Sequence, residues 1–214
     1  MSIDPILELG WIKLDSDYKL AAQLAVKAET YRKETQSEAD TIAIFVEPIL
    51  RGLGWDTLTP KEVSRQSPRK YPLSDLWLLA ENGSKIAVLI EVKPISFRNF
   101  RDRDRRQLDV NARSLIDVEE GELENDEKLC LDDGHGRIFL YGVLTSGGRW
   151  EVYDYGMHKA ATNAPSVPPR LLCKFDFATG KDGLRELFSY LGKDPIMRKV
   201  RETLGRDEHT DSSG

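Results

Sequence analysis

The stretch from Ser74 to Pro94, SDLWLLAENGSKIAVLIEVKP, constrains the fold more than any other part of the chain. Two apolar runs flank an Asn82-Gly83 turn signal, the pattern of a β-hairpin. Side chains alternate faces along a strand, so the parity of the residue numbers sorts them. Leu76, Leu78, Ala80, Ile86, Val88, Ile90 and Val92 are even-numbered and apolar, while the odd row holds Asp75, Trp77, Leu79, Lys85, Ala87, Leu89, Glu91 and Lys93. Residues paired across a ladder share a face, so even must pair with even and the paired numbers must add to an even sum. A two-residue turn gives an odd sum. A three-residue Glu81-Asn82-Gly83 loop gives an even one, with Gly83 in the left-handed conformation as a G1 bulge. That register sets Ala80 opposite Ser84 and Asp75 opposite Leu89. It also gathers Asp75, Glu91 and Lys93 at one end of one face.

The rest of the chain supplies a frame for this hairpin. Ser37 and Asp40 make a capping start, followed by Ile42, Phe45, Val46, Ile49, Leu50 and Leu53 at helical spacing, with Pro48 expected to kink the helix and Gly52 or Gly54 to end it. Residues 17–35 also read as helix, and a loop with Pro60 and Pro68 leads into the hairpin. After the hairpin, residues 97–123 read as a charged helix with Leu108, Ala112, Leu115 and Ile116 on its apolar side. A second hairpin turns about Ser146-Gly147-Gly148, and a short strand, LLCKFDF, and an amphipathic helix, GKDGLRELFSYLGK, follow. The order predicts an α/β fold, a mixed sheet flanked by helices. At 214 residues the chain suits one domain over 18–200, with an N-terminal arm over 1–17 and a disordered tail over 201–214.

Composition narrows the classes. No apolar run reaches membrane-spanning length and the N-terminus lacks a basic segment leading into an apolar block, so neither a membrane span nor an export signal is expected. Cys130 and Cys173 are isolated, which suits the cytoplasm, and His135, His158 and His209 match no metal-ligand spacing. The net charge is −5, yet its sign segregates. Lys61–Lys70 is basic, and Arg98–Arg106 carries five Arg against two Asp, whereas acid concentrates over Asp117–Asp133.

Two carboxylates and an ammonium on one sheet face suit metal-assisted phosphodiester hydrolysis. The carboxylates are hard oxygen ligands for a divalent cation, which acidifies water and stabilises charge on phosphate. Lys93 can orient that water or stabilise the developing oxyanion. The three-residue pattern is weak by itself, since Asp17-Tyr18-Lys19 and Asp126-Glu127-Lys128 share it in polar surroundings. An exposed ion pair at a strand end would read the same way.

The ordered set SEADTIAIFVEPILRGLGWD, SDLWLL, IEVKP, QLDVNA and YGVLTSGGRWEVYDY resembles the N-terminal nuclease domain of type I restriction enzyme R subunits, in the PD-(D/E)XK nuclease superfamily. The resemblance covers Tyr18 to Lys193. It implies a restriction-endonuclease-like fold and Mg²⁺-dependent cleavage of DNA, with Mn²⁺ as a substitute, in restriction-modification or a related prokaryotic defence or DNA-processing role. Asp75, Glu91 and Lys93 then match the signature triad, and Glu38 the helical acid that completes the metal set with Asp75 and Glu91. Glu47 competes for that place. Gln107 matches a glutamine that positions substrate or the lysine, and Thr145 lies in a motif of this domain type. Arg98, Arg101, Arg105 and Arg106 would hold phosphates, and Thr145 is counted with them in the nucleic-acid-binding set. Asn111 stands where relatives often carry Tyr, Pro72 lies three residues before Asp75 in place of a Pro-Asp dipeptide, and no GxxxxGK phosphate loop occurs. The chain is therefore not expected to be the ATP-driven translocase that usually follows this domain; DNA is the expected partner, and a separate specificity, methylation or motor subunit and a homodimer are compatible. RNA as substrate and a catalytically silent nucleic-acid-binding or assembly module stay open as alternatives.

Overall fold

The computed structural model describes residues 37–65, 74–80, 85–97, 99–116, 131–132, 137–138, 140–155, 169–176 and 182–204. The N-terminal arm, the helix expected before Ser37, the turn holding Gly83, Arg98, the three histidines and the tail beyond Leu204 lie outside these residues.

Helical structure opens at Ser37, where a capping box forms: the Ser37 hydroxyl accepts from the Asp40 N–H at 3.1 Å, and the Asp40 carboxylate accepts from the Ser37 N–H at 3.1 Å. Helix α1 (Glu38–Thr41) passes into a π turn (Ile42–Val46) and then α2 (Glu47–Gly52). Pro48 explains the change of winding. It has no N–H to donate, and the Glu47 N–H reaches back five residues to the Ile42 carbonyl. Pro48 then falls in the first turn of α2, where a missing donor is harmless. Gly54, at φ +95°, ends the segment in the left-handed conformation.

Six strands form the main sheet: β1 (Val63–Arg65), β2 (Leu76–Ala80), β3 (Lys85–Val92), β6 (Tyr141–Thr145), β7 (Arg149–Asp154) and β8 (Arg170–Asp176), in that spatial order. All neighbours are antiparallel except β3 and β6, which run parallel. Between these two in sequence lie helix α3 (Asp102–Ile116) and a small separate ladder, β4 (Leu131–Asp132) with β5 (Arg137–Ile138). Helices α4 (Asp182–Leu191) and α5 (Lys193–Leu204) close the described chain.

The sheet is covered on both faces. One face carries Leu76, Leu78, Ala80, Val88, Ile90 and Val92 against Phe45, Val46 and Leu50 from the first helices and Leu187, Leu191, Ile196 and Val200 from the last two. The other carries Trp77, Leu79, Ile86 and Leu89 with Leu144 and Tyr153 under Leu108 and Ala112 of α3. The architecture is a mixed α/β layering with a mostly antiparallel sheet between helices.

Three expectations need correction. The hairpin register is Leu76↔Ile90, Trp77↔Leu89 and Leu78↔Val88, then Leu79↔Ile86 and Ala80↔Lys85. Leu89 therefore faces Trp77 rather than Asp75, and Ala80 faces Lys85 rather than Ser84. A bulge at Ala87 absorbs the parity mismatch that the sequence pattern assigned to the loop, and it moves Ile86 to the face of Trp77. Second, the loop expected from Pro60 onward contributes edge strand β1 at Val63–Arg65. Third, a separate helix, α5, extends to Leu204, with Ile196 and Val200 buried one turn apart and Pro195 in its first turn.

Candidate active site

The observed register brings the charges closer than the predicted one. With Leu76 opposite Ile90, Asp75 lies at the level of Glu91, and its Oδ2 accepts the Val92 N–H at 2.6 Å. Glu91 is 3 % exposed and Lys93 7 % exposed, at the C-terminal end of β3. The Lys93 N–H donates to the Thr145 carbonyl at 2.7 Å, which extends the parallel ladder past Val92 and fixes the lysine's backbone. Helix α1 approaches the same end. Ile95 N–H donates to the Thr41 hydroxyl at 3.0 Å, and that hydroxyl donates to the Ser37 carbonyl at 3.0 Å. This tie holds the chain just past Lys93 against the turn that carries Glu38.

The ammonium of Lys93 is the hub. It donates to Glu91 Oε1 at 2.7 Å and to Gln107 Oε1 at 3.1 Å, and it stands 3.7 Å from Glu38 Oε1. The second Glu91 oxygen accepts from Asn111 Nδ2 at 3.1 Å. Gln107 and Asn111 are one turn apart on α3, so one helix face serves both members of the Glu91–Lys93 pair. Glu47, the competing helical acid, is buried and ion-paired with Arg65 of β1 instead.

Electrostatics at this end of the sheet are strained. Burial pushes the Asp75 carboxyl above its usual range despite the Val92 N–H, and the charge of Glu38 adds to the rise. Burial likewise raises Glu91; its bond to Lys93 opposes the rise, and the charges of Asp75 and Glu38 reinforce it. Burial alone would lower Lys93, but the Glu91 hydrogen bond and the attraction of Glu91, Glu38 and Asp75 outweigh it, so the amine is held as ammonium. Half-buried Asp75 and buried Glu91, with the third acid Glu38 beside them, form an oxygen-only donor set suited to a hard divalent cation. As they stand, however, no three acidic, His or Cys side chains converge as a metal-binding group among the described residues.

The expected phosphate-binding residues separate. Arg101 and Arg106 are exposed at the start of α3. Arg105 is committed: Nε and Nη2 grip the two oxygens of Glu151, each at 2.9 Å, and Nε also donates to the Tyr153 hydroxyl at 3.1 Å. Burial raises Glu151, but hydrogen bonds from Arg105, Tyr153 and Lys174 outweigh it and lower its carboxyl. Thr145 is fully buried, and its hydroxyl serves the β6–β7 turn, donating to the Arg149 carbonyl at 2.8 Å and accepting the Gly147 N–H at 3.0 Å. Trp77 and Trp150 are core residues, 3 % and 1 % exposed. Sequence reasoning missed Asn111. Its signal was present, a polar residue four positions after Gln107 beside the apolar Leu108 and Ala112, but nothing in the sequence named Glu91 as its partner.

Among the described residues no helix is long and apolar enough to cross a membrane. Compared with protein-family models, with curated proteins and with solved structures, the chain finds no match.

Proposed function

We propose that the chain is a metal-dependent nuclease of restriction-endonuclease-like fold that hydrolyses DNA phosphodiester bonds with Mg²⁺, in a prokaryotic restriction, defence or DNA-processing role. One observation carries this reading. Three segments, the first helix, the start of β2 and the end of β3, deliver Glu38, Asp75 and the Glu91–Lys93 pair to one end of the sheet, at a standing electrostatic penalty that core packing does not need. The ordered resemblance to restriction-enzyme R-subunit nuclease domains supports the same assignment. The cytoplasm fits Cys173, an inert core thiol pushed up to about 12, chiefly by burial.

Asp75 and Glu91 would hold the cation, with Glu38 completing the set. A divalent cation bound there supplies Lewis acidity toward a phosphate oxygen and acidifies water. The protein's own groups do the remaining work. Lys93 stays protonated and presents its ammonium to the charge that develops on phosphate. Gln107 holds that ammonium from the solvent side, and Asn111 fixes the orientation of Glu91. Exposed Arg101 and Arg106 would position the backbone without reading sequence.

Nicking of supercoiled plasmid tests the reading. Wild type should cut with Mg²⁺ or Mn²⁺, stop in EDTA and ignore ATP. Lys93→Ala should lose about 10²–10⁴-fold in rate while keeping DNA affinity. Equal cutting by Lys93→Ala would assign the activity elsewhere, and DNA binding without any cutting would favour a silent binding module.

A further inference from the structure

The three partners of the Lys93 ammonium are unequal. Glu91 is almost wholly buried and takes a 2.7 Å bond; Glu38 is half-exposed and stands at 3.7 Å; Gln107 is neutral and belongs to an exposed residue of α3. The ammonium thus lies between two acids that would otherwise face each other as uncompensated charge. Only one Glu91 oxygen is committed to it, since Asn111 holds the other. With the lysine in place, no three acidic, His or Cys side chains among the described residues form a metal-binding group.

Building on the reading above, we propose that the Lys93 ammonium is the site's resident counter-ion, and that a divalent cation binds by displacing it from Glu91 and Glu38. A dication repels an ammonium twice as strongly as a second monocation would at the same separation, so the two cannot share the carboxylates at bonding distance. Asn111 keeps Glu91 oriented when Oε1 is released. Gln107, the partner that carries no charge and lies nearest solvent, retains the amine as the acids exchange partners. No bond is made or broken beyond hydrogen bonds and ion pairs, and the lysine keeps its proton throughout. The lysine therefore has two posts, one guarding the carboxylates and one facing the substrate.

Titration calorimetry of the full chain with Mn²⁺ alone, at neutral pH and without DNA, tests the exchange. Lys93→Met should bind Mn²⁺ roughly tenfold more tightly than wild type, because the competitor is gone. In EDTA the same variant should melt below wild type, having lost the counter-ion, and Mn²⁺ should raise its melting temperature by more than it raises that of wild type. Lys93→Gln gives the same comparison should Lys93→Met not fold. Asp75→Asn is the control for the site itself and should abolish binding. If Asp75→Asn abolishes binding while both lysine variants bind no tighter than wild type, the displacement is wrong and the metal site stands. If Asp75→Asn binds as wild type does, the metal site is misplaced and the displacement goes with it.

Discussion

Asp75 accepts a hydrogen bond that favours its charged form, yet its carboxyl titrates above the usual range because burial and Glu38 together outweigh that bond. A carboxyl with a raised folded-state pKa contributes stability below its ordinary value of 3.8, and that contribution is lost as pH rises through the folded value. At neutral pH the ionised group therefore burdens the metal-free fold. Asp75→Asn keeps an acceptor for the Val92 N–H and cannot ionise, so in EDTA it should melt above wild type at pH 7, with the gap closing below pH 3.8. Melting curves at the two pH values check this; a lower melting temperature for the variant at pH 7 would show that the carboxylate is well accommodated. At this scale the sequence was informative about charge and silent about partners. Asp75, Glu91 and Lys93 could be singled out because they interrupt apolar strands. Asn111 could not be linked to Glu91, because 20 residues separate them and only the packing of α3 brings them within 3.1 Å.

Helix α3 must sit in one register for Gln107 and Asn111 to reach their partners, and the Arg105–Glu151 pair anchors it two residues before Gln107. Glu151 lies in the same cross-strand row as Glu91, with Leu144 between them. Arg105→Ala should cost about 1–3 kcal/mol, below the fully buried range because the guanidinium reaches solvent. It should leave the salt dependence of duplex DNA binding unchanged. Arg101→Ala with Arg106→Ala should instead flatten the log-log slope by about 0.9 for each phosphate contact removed. Fluorescence anisotropy across a salt series separates the two roles, and a flattened slope for Arg105→Ala alone would return that residue to the phosphate contacts. The β6–β7 turn sets the other element. Gly147 has φ +75°, and a Cβ there would stand 2.7 Å from the Cβ of Phe45 in the π turn. Gly147→Ala should destabilise the fold by about 1–3 kcal/mol and slow cutting by moving Glu38, as read from chemical denaturation and the plasmid assay. Unchanged stability would mean that the turn and π turn part without consequence. Strand and helix identities were largely legible from periodicity here. The bulge at Ala87 was not, because a buried Ala suits either face and its position is set by cross-strand packing.

Across the whole molecule, the alternation of helix and hairpin foretold a sheet between helices, and the two covered faces bear that out. The pairing of β3 with β6 was beyond reach of local pattern, since it joins Val88 to Tyr141 over a long excursion. The site inherits this topology. Its acids and lysine are all encoded by Lys93, but β3 keeps one bare edge until β6 arrives, and Thr145 supplies the carbonyl that fixes the lysine's backbone. Ribosomes add roughly 5–20 residues per second, so the 52 residues from Lys93 to Thr145 take about 3–10 s to make. For that interval a newborn chain carries every charge of the cluster without the strand that fixes the backbone of Lys93. Birth of the chain and birth of the site are separate events, and the later one waits for β6.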